Sequence, residues 1–299
     1  MRLLRSLLIY SVLVFAGGAL LAPWLFWFTQ GLAAHGAGFA KLAASPFPRF
    51  VDRALLGAAV LGLWPLLRSC GILRWRDLGL KAGDRPLRGV ARGFLLGFGS
   101  LACVALLAVC LGGRSLNSAH SGAQILRQAF DAGLAAIIVS ILEEIMFRGA
   151  LFGILRKMLS WPMALVLSSA VYAVMHFLRK ADAPGPVDWL SGLTLLPKMF
   201  SGGPPLIPAF FTLFVAGAVL ALAYRRTGAL FVSIGLHAGW IFWLKFYGFL
   251  TVQTPEANPA IWGTSTLIDG WLALPVLGCV FWMVSRIKID ERGRGAGDP

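Results

Sequence analysis

The chain has 299 residues, of which 58% are hydrophobic and only 13% charged; a soluble domain carries roughly 25% charged residues. A water-soluble fold cannot hide that much apolar side chain, whereas a bilayer can, because lipid-facing residues need no partner. The net charge of +14 would ordinarily raise nucleic-acid binding, but the basic residues sit between and beside apolar runs, where they encode membrane topology, so no nucleic-acid partner is expected.

Runs of 17 or more apolar residues read as spans. They fall near 6–28, 53–70, 93–112, 132–156, 161–178, 207–224, 229–247 and 267–285. The expected fold class is all-α, a polytopic transmembrane helical bundle of about eight spans in a single membrane domain over 1–299. The first run continues through Trp24, Phe26 and Phe28, longer than the apolar stretch of a signal peptide, and reads as an uncleaved first helix. With the N-terminus inside, 17 Lys and Arg fall on the inner side and nine on the outer, with Arg148 left within a span. This asymmetry predicts a multi-pass protein with both termini cytoplasmic, of the bacterial plasma (inner) membrane type. Residues 71–92 form a basic inner segment that could touch anionic lipid. Residues 179–206, rich in Pro and Gly, read as an irregular outer loop with an interfacial segment at Trp189–Leu196, and 289–299 as a disordered cytoplasmic tail. Cys70, Cys103, Cys110 and Cys279 form no CxxC and suggest neither a disulfide framework nor a zinc knuckle.

Chemistry concentrates in the fourth run, in Ile141-Leu142-Glu143-Glu144-Ile145-Met146-Phe147-Arg148-Gly149. A charge at membrane depth costs about 2.5–3.5 kcal/mol on insertion scales, so three of them need compensation or a purpose. Glu144 and Arg148 are four residues apart, share a helix face and can pair. Glu143 lies about 100° away and cannot share the arginine equally, which leaves its carboxylate facing the bundle interior or a water-filled cavity. Carboxylates kept from water hold protons more readily, which is what a general base near neutral pH requires. A structural ion-pair cluster and a proton relay or transporter are the competing readings of the same charges.

Two histidines join them on other spans. His176 ends the fifth run, with Ser169 and Tyr172 on its face, and His237 lies in the seventh, one turn after Ser233 and between Gly235 and Gly239. The GxxxG spacing lets a neighbouring backbone approach closely, so the fourth, fifth and seventh spans could converge on one polar pocket.

In these residues the chain resembles the CPBP family, also called the CAAX-protease and bacteriocin-processing (ABI) family. Glu143-Glu144-x-x-x-Arg148 is similar to its EExxxR motif, Tyr172-x-x-x-His176 to FxxxH with Tyr for Phe, and His237 to the histidine of HxxxN. The resemblance covers about 133–247, a protease core within the membrane domain. It implies an intramembrane endopeptidase acting on membrane-embedded or membrane-associated proteins or peptides. Glu143 would activate water, His176 and His237 would assist, and Glu144 and Arg148 would support the site. Ile241 stands where the family motif has Asn, and the only asparagines are Asn117 and Asn258. Tyr172 and Trp240, each adjacent to a motif histidine, are the candidate substitutes for that donor. No metal is expected, since HExxH is absent and Glu144 is engaged by Arg148; the alternative is a divalent ion such as zinc at Glu143, His176 and His237. A non-catalytic scaffold or immunity protein keeping the fold, and a proton-coupled transporter, remain the alternatives to the protease.

Overall fold

Each expected span coincides with a helix in the computed structural model, which describes residues 1–81, 85–177, 185–200 and 206–289. In chain order these are α1 (Arg2–His35, with a π turn at Leu13–Gly17), α2 (Phe47–Ser69), α3 (Pro86–Cys110) and α4 (Gly122–Glu144). A π-helical segment, Ile145–Phe152, and a short turn, Gly153–Leu155, continue α4. Then come α5 (Trp161–Met175), α6 (Ser191–Phe200), α7 (Leu206–Thr227), α8 (Phe231–Leu250) and α9 (Ala273–Ser285). The fold is an all-α helical membrane bundle. Among the described residues, four helices are long and apolar enough to cross a membrane: Arg2–His35, Phe47–Ser69, Pro86–Cys110 and Ile207–Thr227. The apolar helices α5 and α9 are shorter, and α4 and α8 carry the polar residues of the site.

Some boundaries move for identifiable reasons. Helix α4 begins ten residues before the apolar run at 132, because Ser121 and Gln124 form a capping box: the Ser121 hydroxyl accepts from the Gln124 N–H, and the Ser121 N–H donates to Gln124 Oε1 at 2.8 Å. The interfacial segment expected at Trp189–Leu196 becomes helix α6, and the tail expected to be disordered lies outside the described residues beyond Ile289.

The chain forms two compact units, 1–73 with 176–203 and 74–175 with 204–299. In the first, Phe47, Phe50, Val51 and Ala54 of α2 pack with Ala22 of α1 and with Leu195 and Met199 of α6. Phe26 of α1 meets Phe47 and Phe50 edge-on, at centroid distances of 5.8 and 5.3 Å.

The second unit is organised by the contact of α3 with α8, where glycines face each other. A Cβ on Gly93 would collide with the Val232 carbonyl and one on Gly97 with the Leu236 carbonyl; Gly235 and Gly239 meet the α3 backbone in the same way, at Val90 and Phe98. The Gly235-x-x-x-Gly239 spacing therefore serves helix packing, against a matching stripe in α3 that the motif does not reveal. Gly97→Leu is expected to lower stability by about 3 kcal/mol. Gly99→Leu, where an added Cβ meets nothing within 4 Å, is expected to be nearly silent, and melting in detergent compares the two. Helix α4 packs on the same α8, α5 on α7, and α7 on α9. A two-stranded antiparallel ribbon, Arg114–Leu116 with Thr251–Gln253, ties the end of α3 to the end of α8. Arg114 is buried there: it donates to the Thr251 hydroxyl and carbonyl, both at 2.9 Å, and lies over the Tyr247 ring.

Candidate active site

The α-helical winding of α4 stops at Glu144, and the next eight residues wind as a π-helix. At its far end the Gly153 N–H donates to the Arg148 carbonyl, five residues back, which is the widened ring that defines this winding. Such turns expose backbone and side chains that a regular helix would stack, and they recur at functional sites. The expected pair is present across this junction: Arg148 Nη1 donates to Glu144 Oε1 at 2.9 Å. Both side chains are sealed from solvent, Glu144 at 0% and Arg148 at 2% exposure. Arg148 Nη2 also donates to the Gly217 carbonyl of α7 at 3.3 Å, and its guanidinium lies 4.4 Å from the centroid of the Tyr172 ring. Gly217 permits this approach, since a Cβ there would sit 3.1–3.2 Å from Ser169 and Tyr172 of α5.

His237, carried by α8, completes the group. Its Nδ1–H donates to Glu144 Oε1 at 2.9 Å; a carboxylate can only accept, so the proton is on that nitrogen. The other nitrogen, Nε2, lies 3.2 Å from the Tyr172 hydroxyl and 3.7 Å from Glu143 Oε2. Thus Glu144 is sealed inside the protein, with Arg148 and His237 both bonded to its Oε1. Glu143 differs: its side chain remains 24% exposed while its carboxylate reaches the outward nitrogen of His237.

Of the residues singled out in the sequence, Glu143, Glu144, Arg148, Tyr172 and His237 come together. His176 falls in the turn after α5, exposed, and is grouped with the first unit. Trp240 turns to α3, where its indole N–H donates to Ser100 Oγ at 2.9 Å. Ile241 is buried with Ala136 of α4 and Ala238, against Phe94, Val139 and Phe242. The Ser169 hydroxyl donates to the Leu165 carbonyl, and the Ser233 hydroxyl, which also lies against Glu144, donates to the Leu230 carbonyl. Sequence reasoning missed Gly217, whose carbonyl holds Arg148, because a backbone acceptor leaves no side-chain signature. It missed Ser100 because a serine in an apolar run has no distinguishing spacing.

These positions separate the two aromatic candidates for a donor in the site. Tyr172→Phe removes the hydroxyl that stands on His237 Nε2, and is expected to lower a cleavage rate by about 10²-fold, the low end for loss of one oxyanion donor. Trp240→Phe breaks a bond to Ser100 and is expected to cost stability with little change in rate per folded molecule. Rates normalised to folded protein distinguish the two.

Among the described residues, no group of three or more His, Cys, Asp or Glu is placed to hold a metal ion. Glu144 Oε1 and His237 Nδ1 are already bonded to each other, and Arg148 holds the same Oε1.

Residues 126–243 match the family model described as type II CAAX prenyl endopeptidase Rce1-like, a stretch that contains all five clustered residues. No curated protein and no solved structure matches the chain. Over this stretch, from the first turns of α4 into α8, the chain is therefore similar to the Rce1-like family of type II CAAX prenyl endopeptidases.

Proposed function

We propose that this protein is an intramembrane endopeptidase of glutamate type that cleaves membrane-embedded or membrane-associated proteins. One observation carries the reading: of two adjacent glutamates, Glu144 is sealed and doubly bonded, while the Glu143 side chain stays partly exposed and directs Oε2 towards His237 Nε2. That is the division of labour expected when one acid positions and the other reacts. Glu143 takes a proton from a water molecule as the water oxygen bonds to the scissile carbonyl carbon. The developing oxyanion is met by the O–H of Tyr172, whose hydroxyl stands beside the accepting Nε2 of His237. As the C–N bond breaks, Glu143 returns the proton to the leaving amine. Glu144 and Arg148 hold the imidazole in the tautomer and orientation this needs. His176, exposed at the end of α5, is proposed to assist from there.

The same arrangement favours water activation without a resident metal, because Arg148 and His237 already occupy Glu144. The test is cleavage by the purified protein in liposomes. Activity is expected to survive exhaustive chelation; stoichiometric zinc, with activity lost on its removal and restored on its return, would overturn the glutamate-only mechanism. The substrate is proposed as a class, proteins held in or at the membrane, which is what the family domain and the membrane setting have in common.

A further inference from the structure

The stretch that leads into α3 presents a surface that the proposed protease chemistry does not use. Between Arg74 and Arg92 the sequence carries six basic side chains, Arg74, Arg76, Lys81, Arg85, Arg88 and Arg92, against two acids, Asp77 and Asp84. Five of the six are exposed, Lys81 being half-buried. Asp77 offsets little of this charge, since it caps the Arg74 N–H and meets Arg76 at 3.9 Å. Apolar side chains stand out among them: Trp75 is 65% and Leu87 84% exposed.

Position in the fold gives this mixture its meaning. Helix α3 has 25 residues, about 37 Å at 1.5 Å per residue, which exceeds a hydrocarbon core of about 30 Å. Its first turn, with Arg85, Leu87 and Arg88, therefore reaches the headgroup layer. Arg88 and Arg92 are four apart on the helix and share a face, Arg85 stands at its N-cap, and Gly89 and Gly93 turn to α8. The turn Trp75–Leu78 is fastened beneath this surface and cannot swing away. Leu78, at 2% exposure, packs against Gly149, and the Gly79 carbonyl accepts the Leu230 N–H at 3.0 Å. Gly79 itself has φ +88°, with the Tyr224 ring directly against it. An indole and a leucine held outward among arginines, at the mouth of a span, fit the boundary between headgroups and acyl chains.

We propose that the face formed by Arg74, Trp75, Arg76, Arg85, Leu87 and Arg88 binds the phosphate headgroups of anionic lipids, with Trp75 and Leu87 seated at the acyl boundary. The test is native mass spectrometry of the full chain released from micelles containing equimolar phosphatidylglycerol and phosphatidylcholine. Wild type is expected to retain phosphatidylglycerol in preference. Arg74→Gln/Arg76→Gln/Arg85→Gln/Arg88→Gln is expected to lower its retention by roughly tenfold or more, with phosphatidylcholine unchanged. Trp75→Ala should weaken both lipids modestly. A matched change of basic residues elsewhere, Arg286→Gln/Lys288→Gln, should leave the preference intact. Should the fourfold variant not be recovered, Arg85→Gln/Arg88→Gln is read in the same way, with a smaller expected loss. Absence of a phosphatidylglycerol preference in wild type, retention unaltered in the arginine variants, or an equal loss in the Arg286/Lys288 variant would each overturn the proposal.

Discussion

Glu143→Gln is expected to abolish cleavage while leaving a folded, membrane-inserted protein. The amide is nearly isosteric with the carboxylate but cannot take a proton from water, so the general-base contribution, about 10²–10⁴-fold, is lost outright. The fold should tolerate the change because Glu143 is partly exposed and does not hold Arg148; that bond belongs to Glu144. Comparing Glu143→Gln with Glu144→Gln adds resolution. At position 144 an amide oxygen can still accept the His237 Nδ1–H, but it leaves Arg148 facing a neutral partner, so stability and rate should both fall. Melting temperature and cleavage rate per folded molecule, measured on both variants, separate a reacting carboxylate from a positioning one. Unchanged activity per molecule in Glu143→Gln would refute its role as the base.

Arg148→Ala is expected to be among the most destabilising single substitutions in the chain. It removes the guanidinium that bonds Glu144 at 2.9 Å, the Gly217 carbonyl at 3.3 Å and the face of Tyr172. What remains is a carboxylate at 0% exposure with His237 as its neighbour. Breaking a buried pair in this way costs about 3–5 kcal/mol, because the surviving charge has no water to turn to. Glu144→Gln/Arg148→Met removes both charges at similar volume and keeps an acceptor for His237. The double variant should therefore melt in detergent well above Arg148→Ala. Equal melting temperatures would show that the pair does not carry this stability.

Much of the fold and the site is legible in the sequence alone. Apolar run length places a helix at each expected span, and lipid's demand for a long helix that satisfies its own backbone is met by four of them. Glu144 with Arg148 is legible because a spacing of four residues on a helix is a contact. His237 stands out as an ionisable side chain inside an apolar run. Less accessible is anything settled by tertiary packing. The π winding after Glu144 follows no residue-type rule, so the sequence suggests an unbroken α-helix there. Gly217 and the α3 glycines act through backbone they leave bare, and their partners are distant in the chain. Trp240 lies next to His237 on a helical wheel, yet its N–H goes to Ser100 on α3, a choice made by a neighbouring helix. Ile241 likewise stands in the sequence as a missing amide at a polar site, but it packs in an apolar cluster with Ala136 and Ala238, where an amide would lack a partner. Ile241→Asn should accordingly disturb packing instead of raising activity.

The claim that this chain is a protease is tested most directly by quantifying protein termini in membranes of cells that express either wild type or Glu143→Gln at equal levels. The account predicts new termini in or beside membrane segments of one or more substrates with wild type, absent with the variant, while the uncleaved forms accumulate. Identical termini in the two membranes, with both proteins folded and inserted, would contradict it and favour the scaffold reading of the same fold.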